Sequence, residues 1–358
     1  MRKSTILKMG RNLAFFVALI AITFYFVFKD QDLFELWEVL KSSNLIYISV
    51  AILCMFVYFF MESYNVRRIL YVFGEKKISI FRGIKYTLIG FFFSAITPCA
   101  SGGQPMEIYY MNKDGLSIAR STMALLIQLC GYQICTISLA VISAFITPSL
   151  LQGSVLWLLI LGLLLNGSAL TVMLICIFSK RLTRKLINLV IKIAKAFRKK
   201  NIEAFKKNLE DGLKKYEDSA EFIHTHKSEF VKAILRVLVQ IIFYHSVPYF
   251  VYRSFGLDAL NYIQFLTMQS ILYSTVSGLP LPGAVGISES VFLTIYTAAF
   301  GKEMLGGAML LSRGITFYLF VAISAIVVLI NGVVKKKVIS ELDVEVESIE
   351  NNDKKMAA

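Results

Sequence analysis

The sequence predicts an all-α polytopic membrane protein with about six full spans and two re-entrant helical hairpins, or eight hydrophobic segments in all. Of its 358 residues, 56% are hydrophobic and 17% are charged, whereas soluble domains have roughly 45–50% apolar residues and about a quarter charged ones. The apolar residues form long blocks such as 13–28 and 155–178, which match the roughly 20 residues that cross a bilayer core. Two further blocks are interrupted by prolines and glycines, which end helices.

The basic residues predict the orientation of the chain. The formal net charge is +14, and Lys and Arg cluster beside apolar blocks at 2–11, 67–85, 180–232 and 335–337. Cytoplasmic loops have such an excess, and the anionic lipids of the inner leaflet attract it. The sequence has neither an RNP-type motif nor a Cys/His finger, so we expect no nucleic-acid partner. The five cysteines lack the spacing of a zinc site, and we expect neither a metal nor a cofactor.

The first four spans follow from these flanks. Span 12–28 is expected to be an uncleaved signal anchor with a cytoplasmic N-terminus, because a basic segment precedes it and an acidic one follows. The second span, 45–61, returns the chain to the cytoplasm. Blocks 121–146 and 155–178 cross again, and the last of them ends at Lys180 on the cytoplasmic side. Residue 121 must therefore begin inside.

The segment 86–111 is predicted to be a re-entrant hairpin, since the chain lies in the cytoplasm both before and after it. Its second part, Met106–Met111, is too short to span a bilayer. The break between its two parts comprises the following residues: Thr97, Pro98, Cys99, Ala100, Ser101, Gly102, Gly103, Gln104 and Pro105. Glu107 follows directly.

The second half repeats this plan. Residues 180–230 are predicted to form a cytoplasmic insert, either a basic amphipathic hairpin on the inner leaflet or a plain packing hairpin. Spans 231–252 and 308–330 then flank a second re-entrant hairpin, 262–300, which enters from outside. Its break includes Pro280, Pro282, Gly283 and Gly286. The membrane domain thus covers residues 1–338, and the acidic tail 339–358 is predicted to be disordered.

The two hairpins and their flanking spans read as an inverted repeat. Pro98 precedes Glu107 by nine residues, and Pro280 precedes Glu289 by nine. Inverted repeats with helices broken inside the membrane are typical of secondary transporters. Broken backbone is tolerated there only against protein or a water-filled cavity, and helix N-termini near Gln104 and Gly286 would direct partial positive charge into that cavity.

At these two motifs the chain resembles the lysylphosphatidylglycerol synthase transmembrane region family, the flippase-like membrane domain of the multiple peptide resistance factor. The resemblance covers about residues 10–335. One departure is that the second motif reads Pro-Gly-Ala at Pro282–Ala284, where the family commonly has Pro-Gly-Gly. Full-length synthases continue into a soluble aminoacyltransferase domain, whereas this chain ends about twenty residues after Lys337. The resemblance therefore implies the flippase half as the function.

Ionisable residues inside a membrane are costly and are functional candidates by default. Glu107 and Glu289 are the first candidates, with helix capping as the alternative role. Arg313 is expected either to pair with Glu289 or bind a phosphate, or to snorkel to the outer interface. His245 is a weaker candidate for a proton relay, against a simple buried histidine. Two unpaired carboxylates would need a cation or a proton, so we expect Glu107 or Glu289 to exchange protons during transport.

These features predict a translocase that moves a phospholipid or a lipid-linked anionic headgroup between the leaflets of the plasma membrane, with both termini in the cytoplasm. The substrate-binding residues would be the two breaks, the two glutamates and Arg313. The alternative is a membrane subunit or enzyme of lipid modification, such as lysyl transfer to phosphatidylglycerol. A scaffold of envelope synthesis is a third possibility. The sequence contains no nucleophile–base–acid set and no P-loop, and it leaves the lipid, the coupling and the oligomeric state open.

Overall fold

A computed structural model gives the fold of most of the membrane domain. It describes residues 38, 41, 43–97, 100–151, 153–178, 227–277, 284 and 286–331. Every regular element in these ranges is helical, and the same ranges contain no strand, which confirms the predicted all-α class. The predicted first span 12–28, the insert up to residue 226 and the acidic tail lie outside the described residues.

The described ranges contain eight α-helices. They are α1 (Leu45–Val72), α2 (Ile80–Ile96), α3 (Gly103–Lys113), α4 (Ile118–Ile146), α5 (Ser154–Phe178), α6 (Lys227–Ser254), α7 (Tyr262–Val276) and α8 (Ile287–Arg313). A π-helical turn at Gly314–Tyr318 continues α8, and the helical run extends to Asn331, the last residue that the structure describes.

Five of these helices are long and apolar enough to cross a membrane by length and composition: α1, α4, α5, α6 and the run that begins with α8. This confirms a polytopic membrane protein. Helix α1 has 28 residues, or about 42 Å at 1.5 Å per residue, and it continues beyond the predicted span end at residue 61. The extension is stabilised by packing, because Val66, Ile69 and Leu70 at its far end are buried.

Two pairs of shorter helices lie between the long ones. Helix α3 has 11 residues, about 16 Å, and is too short for a hydrocarbon core of roughly 30 Å. It packs back against α2. A Cβ at Gly103 would lie 2.0 Å from Ser94 Oγ and 2.8 Å from the Gly90 carbonyl oxygen. Glycine at position 103 is therefore required by the close approach of the two helices.

The second pair is formed by α7 and the first part of α8. The helical run from Ile287 breaks at Gly301, whose φ of 67° and ψ of 170° are not helical. Glycine adopts this conformation without the steric cost that other residues incur. The order long, short, short, long therefore occurs twice, in α1–α4 and from α6 to the end of the described chain. This agrees with the predicted repeat, while the orientation of each half in the membrane stays a prediction.

The long helices pack through aromatic and aliphatic side chains. Helix α1 contacts α6 along much of its length, and the rings of Phe59 and Phe320 stack with centroids 4.6 Å apart. Large apolar side chains also cover the outside: Phe145 is 83% exposed and Trp157 71% exposed. An outer surface of this kind is typical of a protein that faces lipid.

The orientation can be measured by cysteine accessibility. On a background without the native cysteines, we expect a cysteine at Ser149 to react with an impermeant maleimide added outside. A cysteine at Lys113 should react only after permeabilisation. Both side chains are exposed. Labelling of position 113 from outside would show that α2 and α3 cross the membrane completely, and the inverted repeat would then be wrong.

Candidate functional site

A cavity of about 570 Å³ lies between the two pairs of short helices. All eight helices contribute to its wall. From the first pair come Gly90, Ser94, Gln104 and Glu107, and from the second pair Gln269, Tyr273, Ser277 and Ser288. The long helices contribute Glu62, Gln128, Asn166, Tyr244 and Arg313, among others. The structure thus brings both predicted breaks to one cavity.

The side chain of Thr97 forms hydrogen bonds on both sides of the break between α2 and α3. Thr97 Oγ1 donates to the Phe93 carbonyl at 2.6 Å and accepts from the Gly102 amide at 2.8 Å. A Cβ at Gly102 would lie 2.7 Å from Thr97 Cγ2. Gly102 and Gly103, which were predicted to bind the substrate, therefore allow α2 and α3 to pack closely against each other.

Glu107 lies on α3 with its carboxylate in the cavity wall. It is 5% exposed, and a Cβ at Gly90 would lie only 1.9 Å from Glu107 Oε1. Gly90 therefore makes the space that this carboxylate occupies. Among the described residues Glu107 has no hydrogen-bond or ion-pair partner, and it does not cap α3. The capping alternative thus receives no support at this position.

Glu289 is held by two contacts. Its Oε2 accepts from the Gly286 amide at 2.6 Å, at the start of α8, and its Oε1 accepts from Arg313 Nε at 2.8 Å. The Arg313 guanidinium lies over the ring of Phe317, 4.6 Å from its centroid. Arg313 thus makes the predicted pair with Glu289, and Glu289 also caps its helix. The two glutamates, although they match in sequence, differ in their partners.

Two buried serines lie beside this ion pair. Ser288 and Ser312 are each 4% exposed and line the cavity next to Arg313. Their hydroxyl groups have no hydrogen-bond partner within the described ranges. Buried polar groups without partners are uncommon and point to a ligand, an ion or water.

Elsewhere on the cavity wall, Glu62 begins a chain of buried side-chain hydrogen bonds. Gln240 Nε2 donates to Glu62 Oε2 at 3.0 Å, and Gln128 Nε2 donates to Gln240 Oε1 at 2.8 Å. Asn65 Nδ2 donates to Gln128 Oε1 at 2.6 Å, and Arg236 donates to Asn65 Oδ1 at 2.9 Å. The chain joins α1, α4 and α6 and connects the cavity to the start of α6.

The chain ends in an ion pair near the start of α6, where Arg236 binds Glu229 at 2.9 Å. Glu62 does not pair with Arg67: it accepts from Gln240, and Arg67 Nε donates to the Ile78 carbonyl at 2.8 Å.

Of the remaining predicted site residues, some line the cavity and others do not. Gln104 lines the cavity, whereas Pro105 is exposed. Gly286 has a φ of +86° and open space around it, so its role is conformational. His245 does not line the cavity; its Nδ1 lies 3.1 Å from Ser270 Oγ. Four predicted site residues lie outside the described residues: Pro98, Pro280, Pro282 and Gly283.

Sequence reasoning did not place Glu62 or Gly90 in the site, nor a group of four tyrosines that line the cavity: Tyr58, Tyr132, Tyr244 and Tyr273. Glu62 is the only carboxylate in α1, and an acidic residue within an apolar run is a signal in itself. It was not included in the site because the predicted span ended at residue 61. Gly90 and the tyrosines gave no signal, because their proximity depends on how separate helices pack.

Comparison with known proteins agrees with this architecture. Residues 13–324 match the family described as lysylphosphatidylglycerol synthase TM region. The chain is also similar to a UPF0104 membrane protein of Archaeoglobus fulgidus, with 22% identity over 311 residues that cover 84% of this chain and 91% of that protein. The family implies a function related to membrane lipids. Because the match covers most of the sequence, the chain belongs to the lysylphosphatidylglycerol synthase transmembrane region family.

Proposed function

We propose that this protein is a translocase that moves the headgroup of a phospholipid, or of another lipid-linked anion, between the two leaflets. The observation that supports this most is the cavity whose wall includes residues from both helix breaks together with Arg313. Broken helices that border a cavity at membrane depth are the usual construction of a transporter binding site. The cavity volume of about 570 Å³ is in the range of pockets that hold small ligands, about 300–1,000 Å³.

The phosphate of the headgroup would bind beside Arg313. Arginine presents several donors and is a preferred partner of phosphate. The hydroxyls of Ser288 and Ser312, which have no partner in the described chain, would supply two further donors. The start of α8 lies close by at Ile287, and helix N-termini attract anions. This arrangement supplies groups that would bind a headgroup, as translocation requires.

The phosphate-binding role can be tested with serine variants in proteoliposomes. We expect Ser288→Ala and Ser312→Ala each to slow the movement of a fluorescent phosphatidylglycerol between leaflets by roughly three- to tenfold, since each removes one hydrogen bond to a charged group. Thermal stability should be unchanged, because these hydroxyls have no internal partner. The assay follows quenching of the outer-leaflet lipid by dithionite.

Ser324→Ala is the matched control. Its hydroxyl is also buried and without a partner in the described ranges, but it does not line the cavity. It should leave both transport and stability unchanged. Mass spectrometry of the lipids after the assay separates translocation from chemical modification: appearance of an aminoacylated lipid would favour the enzyme alternative. Wild-type protein that moves no lipid tested would contradict the proposal.

A further inference from the structure

The charges on the cavity wall do not balance within the described residues. The charged side chains that line it are Glu62, Glu107 and Arg313. Arg313 is already bound to Glu289, at 2.8 Å. The other titratable groups on the wall are tyrosines of α1, α4, α6 and α7. Two carboxylates therefore face one cavity without a cationic partner from the described part of the protein.

Glu107 is the carboxylate in greatest need of a partner. It is only 5% exposed, and its carboxylate lies against Gly90. No donor in the described chain reaches it. An ionised carboxylate in such a place is strongly unfavourable unless a cation or a proton neutralises it. The position thus points to a ligand that is not part of the chain.

Glu62 makes this need greater. It lines the same cavity, where its negative charge would repel that of Glu107. Within the described ranges, its Oε2 accepts from Gln240 and its Oε1 has no hydrogen-bond partner. The amide chain behind Gln240 holds Glu62 in a defined orientation. Two acidic groups in one low-dielectric cavity interact much more strongly than they would in water, so a single cation between them would be stabilised by both.

A closed group of four tyrosines lines the same cavity: Tyr58, Tyr132, Tyr244 and Tyr273. The hydroxyls of Tyr58 and Tyr132 lie 3.4 Å apart. The ring centroids of Tyr58 and Tyr244, and those of Tyr244 and Tyr273, are each 5.5 Å apart, and those of Tyr132 and Tyr273 are 5.9 Å apart. Tyrosine attracts cations through its ring face and its hydroxyl oxygen. Glu62 lies one turn after Tyr58, so carboxylate and rings adjoin.

We propose that Glu62, Glu107 and the four tyrosines form a binding site for one exchangeable monovalent cation on the wall of the cavity. The cation is a proton, a sodium ion or a small organic ammonium group. Each of these carries one positive charge, which the site lacks. Only the role of this site in transport rests on the proposed function: there, binding of the cation would be coupled to movement of the headgroup. Glu289 is excluded from the site because Arg313 neutralises it.

The site can be tested without any transport assay, by reaction with dicyclohexylcarbodiimide. This reagent modifies protonated carboxyl groups in apolar surroundings, and peptide mass spectrometry locates the product. We use the full-length protein in detergent and expect modification at Glu107 or Glu62. Three arms identify the cation: a pH series, sodium chloride against N-methylglucamine chloride, and ethanolamine hydrochloride. At least one arm should change the rate by roughly tenfold, as one unit of pH does for a titrating group.

Glu62→Gln and Glu107→Gln are the informative variants, because glutamine keeps the size of the side chain. In each variant the remaining carboxylate should lose most of its dependence on the cation. Glu303, which is exposed and outside the cavity wall, is the reference carboxylate, and Glu303→Gln should change nothing. A lack of modification at both residues, or a rate that ignores pH, sodium and amine alike, would overturn the site. Cation-dependent reaction in a protein that moves no lipid would contradict the proposed function alone.

Discussion

Arg313→Gln is expected to destabilise the protein by about 3–5 kcal/mol, the usual cost of leaving one partner of a buried ion pair uncompensated. Arg313 and Glu289 are 12% and 10% exposed and lie 2.8 Å apart. Without the guanidinium, the buried Glu289 carboxylate would keep the Gly286 amide as a donor but would lose its cationic partner. The measurement is the melting temperature in detergent, together with the monodisperse yield on size exclusion.

The double variant Arg313→Gln, Glu289→Gln provides the control. It removes both charges and leaves two amides that are able to hydrogen-bond, so much of the lost stability should return. Transport should stay low in both proteins, because the phosphate-binding cation is missing. If the single variant melts at the wild-type temperature, then Glu289 is not buried as described, and the assignment of this ion pair is wrong.

Gly90→Val is expected to abolish transport or to reduce it by more than about tenfold, a loss that corresponds to about 1.4 kcal/mol. Even a Cβ at this position would lie 1.9 Å from Glu107 Oε1 and 2.5 Å from its carboxyl carbon. The added side chain must therefore displace the Glu107 carboxylate. Overpacking of this kind also costs about 1–3 kcal/mol of stability, so melting temperature and transport are measured on the same preparation.

Two further variants separate displacement of Glu107 from general disruption. Gly167→Ala changes a helical glycine with open space around its Cβ and should be silent or stabilising by up to about 1 kcal/mol. Gly90→Val combined with Glu107→Ala relieves the clash, so stability should recover while transport stays low. Transport at the wild-type rate in Gly90→Val would show that the position of the Glu107 carboxylate is unimportant.

The family resemblance and the sequence were sufficient for the class of protein. Apolar blocks of membrane-spanning length and basic flanks depend on composition alone, and the long helices of the structure lie where these blocks were predicted. The helix starts near Gln104 and Gly286 were also predicted, because proline and glycine act on the backbone locally. The pair between Glu289 and Arg313 was one of the alternatives that followed from the cost of an isolated charge in a membrane.

Only the tertiary structure decided what each of these groups does. Glu107 and Glu289 occupy the same place in the two sequence motifs, yet one lacks a partner among the described residues and the other binds Arg313 and the Gly286 amide. Glu62, Gly90 and the four tyrosines are far apart in the chain and meet only when separate helices pack. A sequence pattern determines the local conformation and the membrane environment of a residue, whereas its charge partner depends on distances between helices that no local pattern records.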